Sequence, residues 1–330
     1  MLSNSIINLN ISQRSGGMAD AATRGYDHQE SSRFSANRVS PIVENPNEYQ
    51  VQVKSAFIPL QTVNLMKRDK DFRLKRDFTI GLYLEGGEDN SINYAVTFNQ
   101  DYRNIRDFLV YLNDRLKFAY DQMRLSNPTW AVGNFPPFFD YIDEKLSFYV
   151  EKDHINPDVP QKMHVLMSRD MINRLSFSVH QVYDNPHADV MSYEMNLDGF
   201  NVTDLRSYTV QGLGEVSLYR IHSHGLEGLN DVRDLIIQTS TIPVNPELKG
   251  KERNDLTSIL RVIKLSVKDV ENRYYLNTFR DDDYYDLDST VDLKNTDIEL
   301  RVRYVDGTDE PLDLQGIQDY SLQLRFMKKF

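Results

Sequence analysis

Apolar and polar residues alternate along most of this chain. Tyr49, Val51 and Val53 alternate, and Phe57-Ile58-Pro59 closes that run. Phe78, Ile80, Leu82 and Leu84 alternate next, followed by a turn-forming Glu85-Gly-Gly-Glu-Asp-Asn stretch and then by Ile92, Tyr94, Val96 and Phe98. Leu146, Phe148 and Val150 follow an Asp-Glu-Lys turn. Leu235 to Ile242 is a β-branched run that suits a buried strand. Pro243 and Pro246 cannot donate to a sheet ladder, so pairing stops or moves to an edge there. Lys249 to Asp255 is charged and reads as a loop, after which Ile259, Val262 and Leu265 resume the apolar run. Ile298, Leu300, Val302 and Tyr304 alternate up to an Asp306-Gly307 turn. Tyr320, Leu322, Leu324 and Phe326 make the last strand. The period changes over residues 101–125. Ile105, Phe108, Leu109, Leu112, Leu116 and Met123 share one helical face, and Asn127-Pro128 stops the helix. Ser168 is placed to cap a short helix whose apolar face is Met171, Ile172 and Leu175.

These runs predict eight strands, near 49–58, 78–84, 92–98, 146–150, 235–242, 257–266, 297–304 and 320–327. The fold class expected is all-β: a single jelly-roll β-sandwich of eight strands with helical insertions and an extended N-terminal arm. The arm covers 1–45. It opens with Ile7, Leu9 and Ile11 alternating as in a short strand, then becomes rich in Ser, Ala, Gly and Arg without any period. Such a segment buries too little apolar area to offset an ordering cost of roughly 1–2 kcal/mol per residue. The jelly-roll domain covers 46–330, with a long insertion around 178–230 that mixes short strand-like pieces with Gly and Asn loops. No internal repeat is visible.

Charge narrows the function. The chain has 330 residues, 38 basic and 49 acidic, for a net charge of −11. A surface that negative does not bind nucleic acid or anionic lipid non-specifically. In the arm, Arg14, Arg24, Arg33 and Arg38 balance Asp20, Asp27, Glu30 and Glu44, whereas a genome-packaging arm is strongly basic. The sequence has no cysteine, which removes disulfides, thiol nucleophiles and cysteine metal sites. No signal peptide and no bilayer-spanning apolar stretch are evident.

Candidate chemistry is sparse. His222-Ser-His224 puts two imidazoles on one side of a strand, a spacing that can hold zinc or copper, with His180 or His187 as a third ligand. A polar strand end is the favoured reading, because no third ligand is local and such sites need three or four. Asp281-Asp282-Asp283 lacks the alternating ligands and fixed Gly of a calcium loop. Gly212-Leu-Gly214 has no phosphate-loop Lys and reads as a turn. No catalytic, cofactor-binding or metal site is assigned, and no cofactor is expected.

Several blocks together resemble a known family. They are Val51-Gln-Val-Lys-Ser-Ala-Phe-Ile-Pro-Leu-Gln-Thr-Val-Asn; Val96-Thr-Phe with the helix bearing Ile105, Phe108, Leu109 and Leu112; Leu235 to Glu247, with its Ser-x-x-Pro-Val-x-x-Glu ending; and Asp297 to Gly307 with Tyr320 to Lys329. These resemble the penton, or minor capsid, proteins of polinton-like and adenovirus-like double-stranded DNA viruses. The resemblance implies a non-enzymatic virion protein that caps capsid vertices as a homopentamer and contacts the major capsid protein. It implies neither direct nucleic-acid binding nor a membrane span, and synthesis in the host cytoplasm or nucleus. Two alternatives stand beside it: a single jelly-roll major capsid protein of a small virus, and a carbohydrate-binding β-sandwich module. The second needs an aromatic groove, and the sole tryptophan, Trp130, lies in a Pro- and Gly-rich loop.

Overall fold

A computed structural model describes residues 6–13, 33–37, 39–67, 79–85, 91–95, 101–130, 133, 135–155, 161–183, 192–195, 197, 202–210, 214–244, 258–280, 284–314 and 320–329. The chain divides into two units: Met1–Asn64 together with Asp231–Phe330, and Leu65–Asn230 between them. The first unit opens with strands β1 (Ile6–Gln13), β2 (Arg33–Asn37) and β3 (Tyr49–Pro59). The second holds β4 (Thr79–Leu84), β5 (Ser91–Ala95), helix α1 (Ile105–Ser126), β6 (Phe138–Ile142), β7 (Lys145–Glu151), helix α2 (Lys152–Ile155), β8 (Met163–Ser168), helix α3 (Arg169–Leu175), β9 (Val179–Tyr183), β10 (Ser192–Met195), β11 (Val202–Val210) and β12 (Gly214–His222). The first unit then resumes with β13 (Val232–Thr239), β14 (Ser258–Lys264), helix α4 (Val267–Glu271), β15 (Tyr274–Thr278), β16 (Tyr285–Asp286), β17 (Asn295–Tyr304), β18 (Asp309–Pro311) and β19 (Tyr320–Lys328). The architecture is mostly β, in several antiparallel sheets.

Two sheets build the first unit. One has the order β1-β19-β3-β15, with β16 also on β3; the other runs β14-β13-β17-β18, with β2 also on β17. The alternation read from the sequence sets which face is buried. Leu322, Leu324 and Phe326 of β19, Leu9 and Ile11 of β1, and Tyr275 of β15 turn into the core. Strand β3 changes parity part-way: Val51 and Val53 are buried, then Ala56 and Ile58. The cause is a register shift between Gln323 and Leu324 of β19, which leaves an extra residue on β3 and moves its inward set by one. In the second sheet Leu235, Ile237, Ile298, Leu300 and Val302 supply the buried face. Gly307 makes the β17–β18 turn at φ 86°, with its N–H donating to the Tyr304 carbonyl.

Sheets of order β5-β4-β8-β10-β9 and β11-β12-β7-β6 build the second unit. Helix α1 packs on β4, β5 and β6. Every residue of its expected apolar face is buried. Asn104 caps it, its Oδ1 accepting from the Asp107 N–H at 2.7 Å, and Asn127 ends it. Ser168 caps α3 as the sequence indicates, and Met171, Ile172 and Leu175 are buried. The tight β6–β7 turn is carried by Asp143 and Glu144, both at positive φ, the backbone that two-residue hairpins demand.

Each of the eight expected strands coincides at least in part with a strand, but they do not form one set. Five belong to the first unit, while β4, β5 and β7 belong to the second. The insertion expected around 178–230 lies wholly within the second unit, which starts at Leu65. The arm expected over 1–45 contains β1 and β2, paired to β19 and β17. Alternation marks a strand locally but carries no record of its partner, and the partner of β1 lies some 310 positions away (Asn10–Gln323, separation 313). Phe78, Val96 and Phe98 of the expected strands lie outside the described residues.

Candidate assembly surface and buried histidines

Open sheets end in strands with unpaired backbone groups, and these edges are where one chain meets another. In the first unit the edges are β1 and β15 in one sheet, β14 and the β2/β18 side in the other. Several exposed apolar side chains lie on or beside them. Tyr274 and Leu276 of β15 are 47% and 66% exposed, Val262 of β14 is 41%, and Val305 beside the β17–β18 turn is 57%. In the second unit, α1 turns Val110, Phe118 and Leu125 outward on the side away from its buried stripe. Among the described residues, no helix is long and apolar enough to cross a membrane.

The histidine pair does not converge. Strand β12 stops at His222, so the period-two relation does not reach His224. His222 Nδ1 lies 2.8 Å from Ser147 Oγ, directly across the β7–β12 ladder. His224 Nε2 lies 2.6 Å from Ser178 Oγ. His180 sits exposed on β9, and His187 lies outside the described residues. No group of three His, Cys, Asp or Glu suited to a metal occurs among the described residues. Asp281 to Asp283 and Gly212 also lie outside them.

Among the described residues, the most enclosed titratable group is one the sequence does not advertise. His154 on α2 is fully buried. Its ring stacks on Trp130 at 5.2 Å and meets Tyr120 edge-on at 5.3 Å. Its Nε2 lies 3.0 Å from the Phe135 carbonyl, 3.2 Å from Tyr120 Oη and 3.4 Å from Glu151 Oε2. Glu151 in turn accepts from the Phe135 N–H at 2.8 Å, and Arg124 donates to the Gly133 carbonyl at 3.0 Å. The cluster thereby ties residues 133 and 135 to α1 and β7. Burial holds the His154 imidazole below its ordinary range and pushes the Tyr120 phenol up to about 12. A neutral imidazole with its Nε2–H committed to a carbonyl is a structural clamp. A second, partly buried pair, His164 Nδ1 with Glu194 Oε1, joins β8 to β10. Neither is foreshadowed in the sequence, because His154 and Glu151 gain their partners only through the fold.

Two solved structures share this fold over nearly the whole chain. The mavirus penton protein superposes with a TM-score of 0.67 at 17% identity, covering 98% of this chain and 100% of its own. A chain of the Sputnik virophage, from its cryo-EM structure, gives a TM-score of 0.69 at 17% identity, covering 98% of each. At that identity the likeness is one of fold. No family model matches the chain, and no curated protein matches it.

Proposed function

We propose that this protein is a structural virion subunit: a penton, or minor capsid, protein that assembles as a homopentamer at capsid vertices and contacts a separate major capsid protein. One observation carries the reading, the end-to-end match to the mavirus penton protein, in which both units of this chain find counterparts across all of the other chain. The first unit is read as a single jelly roll. Taken in chain order, β1, β2, β3, β13, β14, β15, β17 and β19 fall as 1-8-3-6 in one sheet and 2-7-4-5 in the other, the interleaving of a rolled-up hairpin. The second unit is then an insertion between the third and fourth strands of the roll.

The net charge of −11 supports assembly through protein contacts over genome coating. Burial of Trp130, 3% exposed against His154, speaks against the sugar-binding alternative, which needs that ring on a surface. The reading involves no catalysis and no cofactor. Native mass spectrometry of the purified protein, with imaging of particles at their fivefold positions, tests it. Pentamers in solution and density at the vertices are expected. A protein that is monomeric at every concentration and absent from the vertices overturns the reading.

A further inference from the structure

The sheet containing β13 and β17 carries a row of four charges running from one edge to the other. Lys264 of β14 lies opposite Asp234 of β13, Asp234 opposite Arg303 of β17, and Arg303 opposite Asp309 of β18. The signs alternate across the four strands. Arg303 Nε and Nη2 donate to the two Asp309 carboxylate oxygens at 2.9 and 3.2 Å. Arg303 is thus paired within the chain, and both ends of the row are exposed: a cation, Lys264, on the β14 edge and an anion, Asp309, on the β18 edge. The neighbouring row begins at Val262, 41% exposed on β14, and ends at Pro311 on β18.

We propose that the β14 edge of one copy of this chain docks against the β18 edge of a second copy, Lys264 meeting Asp309 and Val262 meeting Pro311. This rests on the self-assembling reading above and names the surface that would serve it. Charge argues for it beyond the two end residues. The segment 258–278, which holds β14 and β15, has four basic and two acidic residues, a local excess of basic charge in an acidic chain. The segment 304–314, which holds the β17–β18 turn and β18, has four acidic and no basic residues. A two-fold contact would set each edge against its own sign. Opposite edges of opposite charge require a head-to-tail contact, the kind that closes rings when the rotation returns on itself. Three antiparallel pairings separate β14 from β18, so these strands run in opposite directions. A rotation about an axis along the strands then brings antiparallel edges together. Pro311 has no N–H to offer, so the contact is made by side chains rather than by a continuous ladder.

Charge exchange provides the test, read by native mass spectrometry and light scattering over a concentration series, with thermal melts to verify folding. Lys264→Glu puts an anion at both ends of the row, Asp309→Lys puts a cation at both ends, and each weakens self-association several-fold per contact. The double variant Lys264→Glu/Asp309→Lys restores opposite edges and recovers assembly. Val262→Glu weakens assembly without touching the Arg303–Asp309 pair, so it and Lys264→Glu decide the matter even where Asp309→Lys fails to fold. An assembled wild type whose Lys264→Glu and Val262→Glu variants keep its mass distribution overturns the edge assignment and leaves self-assembly standing. A wild type that is monomeric throughout overturns both.

Discussion

Gly133 is pressed against the ring of His154: a Cβ built on Gly133 would stand 2.3 Å from His154 Cε1 and 2.7 Å from its Nδ1. Gly133 also has φ +69°, a backbone that side chains rarely adopt. Two independent requirements therefore select glycine here. Gly133→Ala should cost about 1–3 kcal/mol, the scale of overpacking in a close-packed interior. Thermal unfolding checks this, and a variant melting with the wild type would show that His154 can move aside.

The same burial gives a pH dependence with a definite sign. Desolvation lowers the His154 pKa in the folded chain from the ordinary 6.5, and the Phe135 carbonyl, Glu151 and Asp153 only partly oppose it. Arg124 adds to the lowering. Below pH 6.5 the unfolded chain binds a proton at this residue that the folded chain refuses, so stability is full above that pH and falls beneath it. The slope approaches about 1.4 kcal/mol per pH unit until the folded group itself titrates. Melting temperatures measured from pH 7.5 to pH 5.5 should drop more for the wild type than for His154→Gln. Parallel curves would assign the acid sensitivity elsewhere.

Leu324 tests the strand placement that the sequence makes plainest. It is fully buried on β19, between β1 and β3. Leu324→Ala should cost about 2–5 kcal/mol, and Leu324→Asp should prevent folding by burying an unpaired charge. A soluble Leu324→Asp protein with a normal melt would contradict the observed packing.

Alternation such as Leu322-x-Leu324-x-Phe326 makes strands legible because each needs one apolar face, and the 3.6-residue spacing of Ile105 to Met123 does the same for α1. Capping is equally local, so Ser168 and the stop at Asn127 are readable. What local pattern cannot convey is pairing. Nothing around Leu146 tells that β7 sits in the second unit while Leu235 sits in the first. Strand β15 escapes notice because Tyr275 is its only buried residue, and a single inward side chain makes no period. For the same reason the His154 cluster is invisible: its members come from α1, β7, α2 and the segment around residue 133, and only folding assembles them. The row Lys264, Asp234, Arg303 and Asp309 depends on register, with two of its pairings lying beside or beyond irregular ladder positions.

Strand β1 is tied along its whole length to β19. All eight residues of β1 pair with β19, from Ile6 against Met327 to Gln13 against Tyr320. Leu9 is 3% exposed and Ile11 is 9%, so both lie in the core of the first unit. Removing residues 1–13 would open the β19 edge along its length and uncover the flank of Leu322 and Leu324. Two buried aliphatic side chains are worth about 1.5–3 kcal/mol each in transfer free energy, before any loss of the ladder. That is a large share of the 5–15 kcal/mol by which a domain is stable. The truncated chain should therefore melt several degrees lower and over a broader range, and the double substitution Leu9→Ser/Ile11→Ser should reproduce much of the loss at full length. An unchanged, equally cooperative melt after truncation would mean that β1 adds nothing to the folded subunit by itself, as the extended arm expected from the sequence would not.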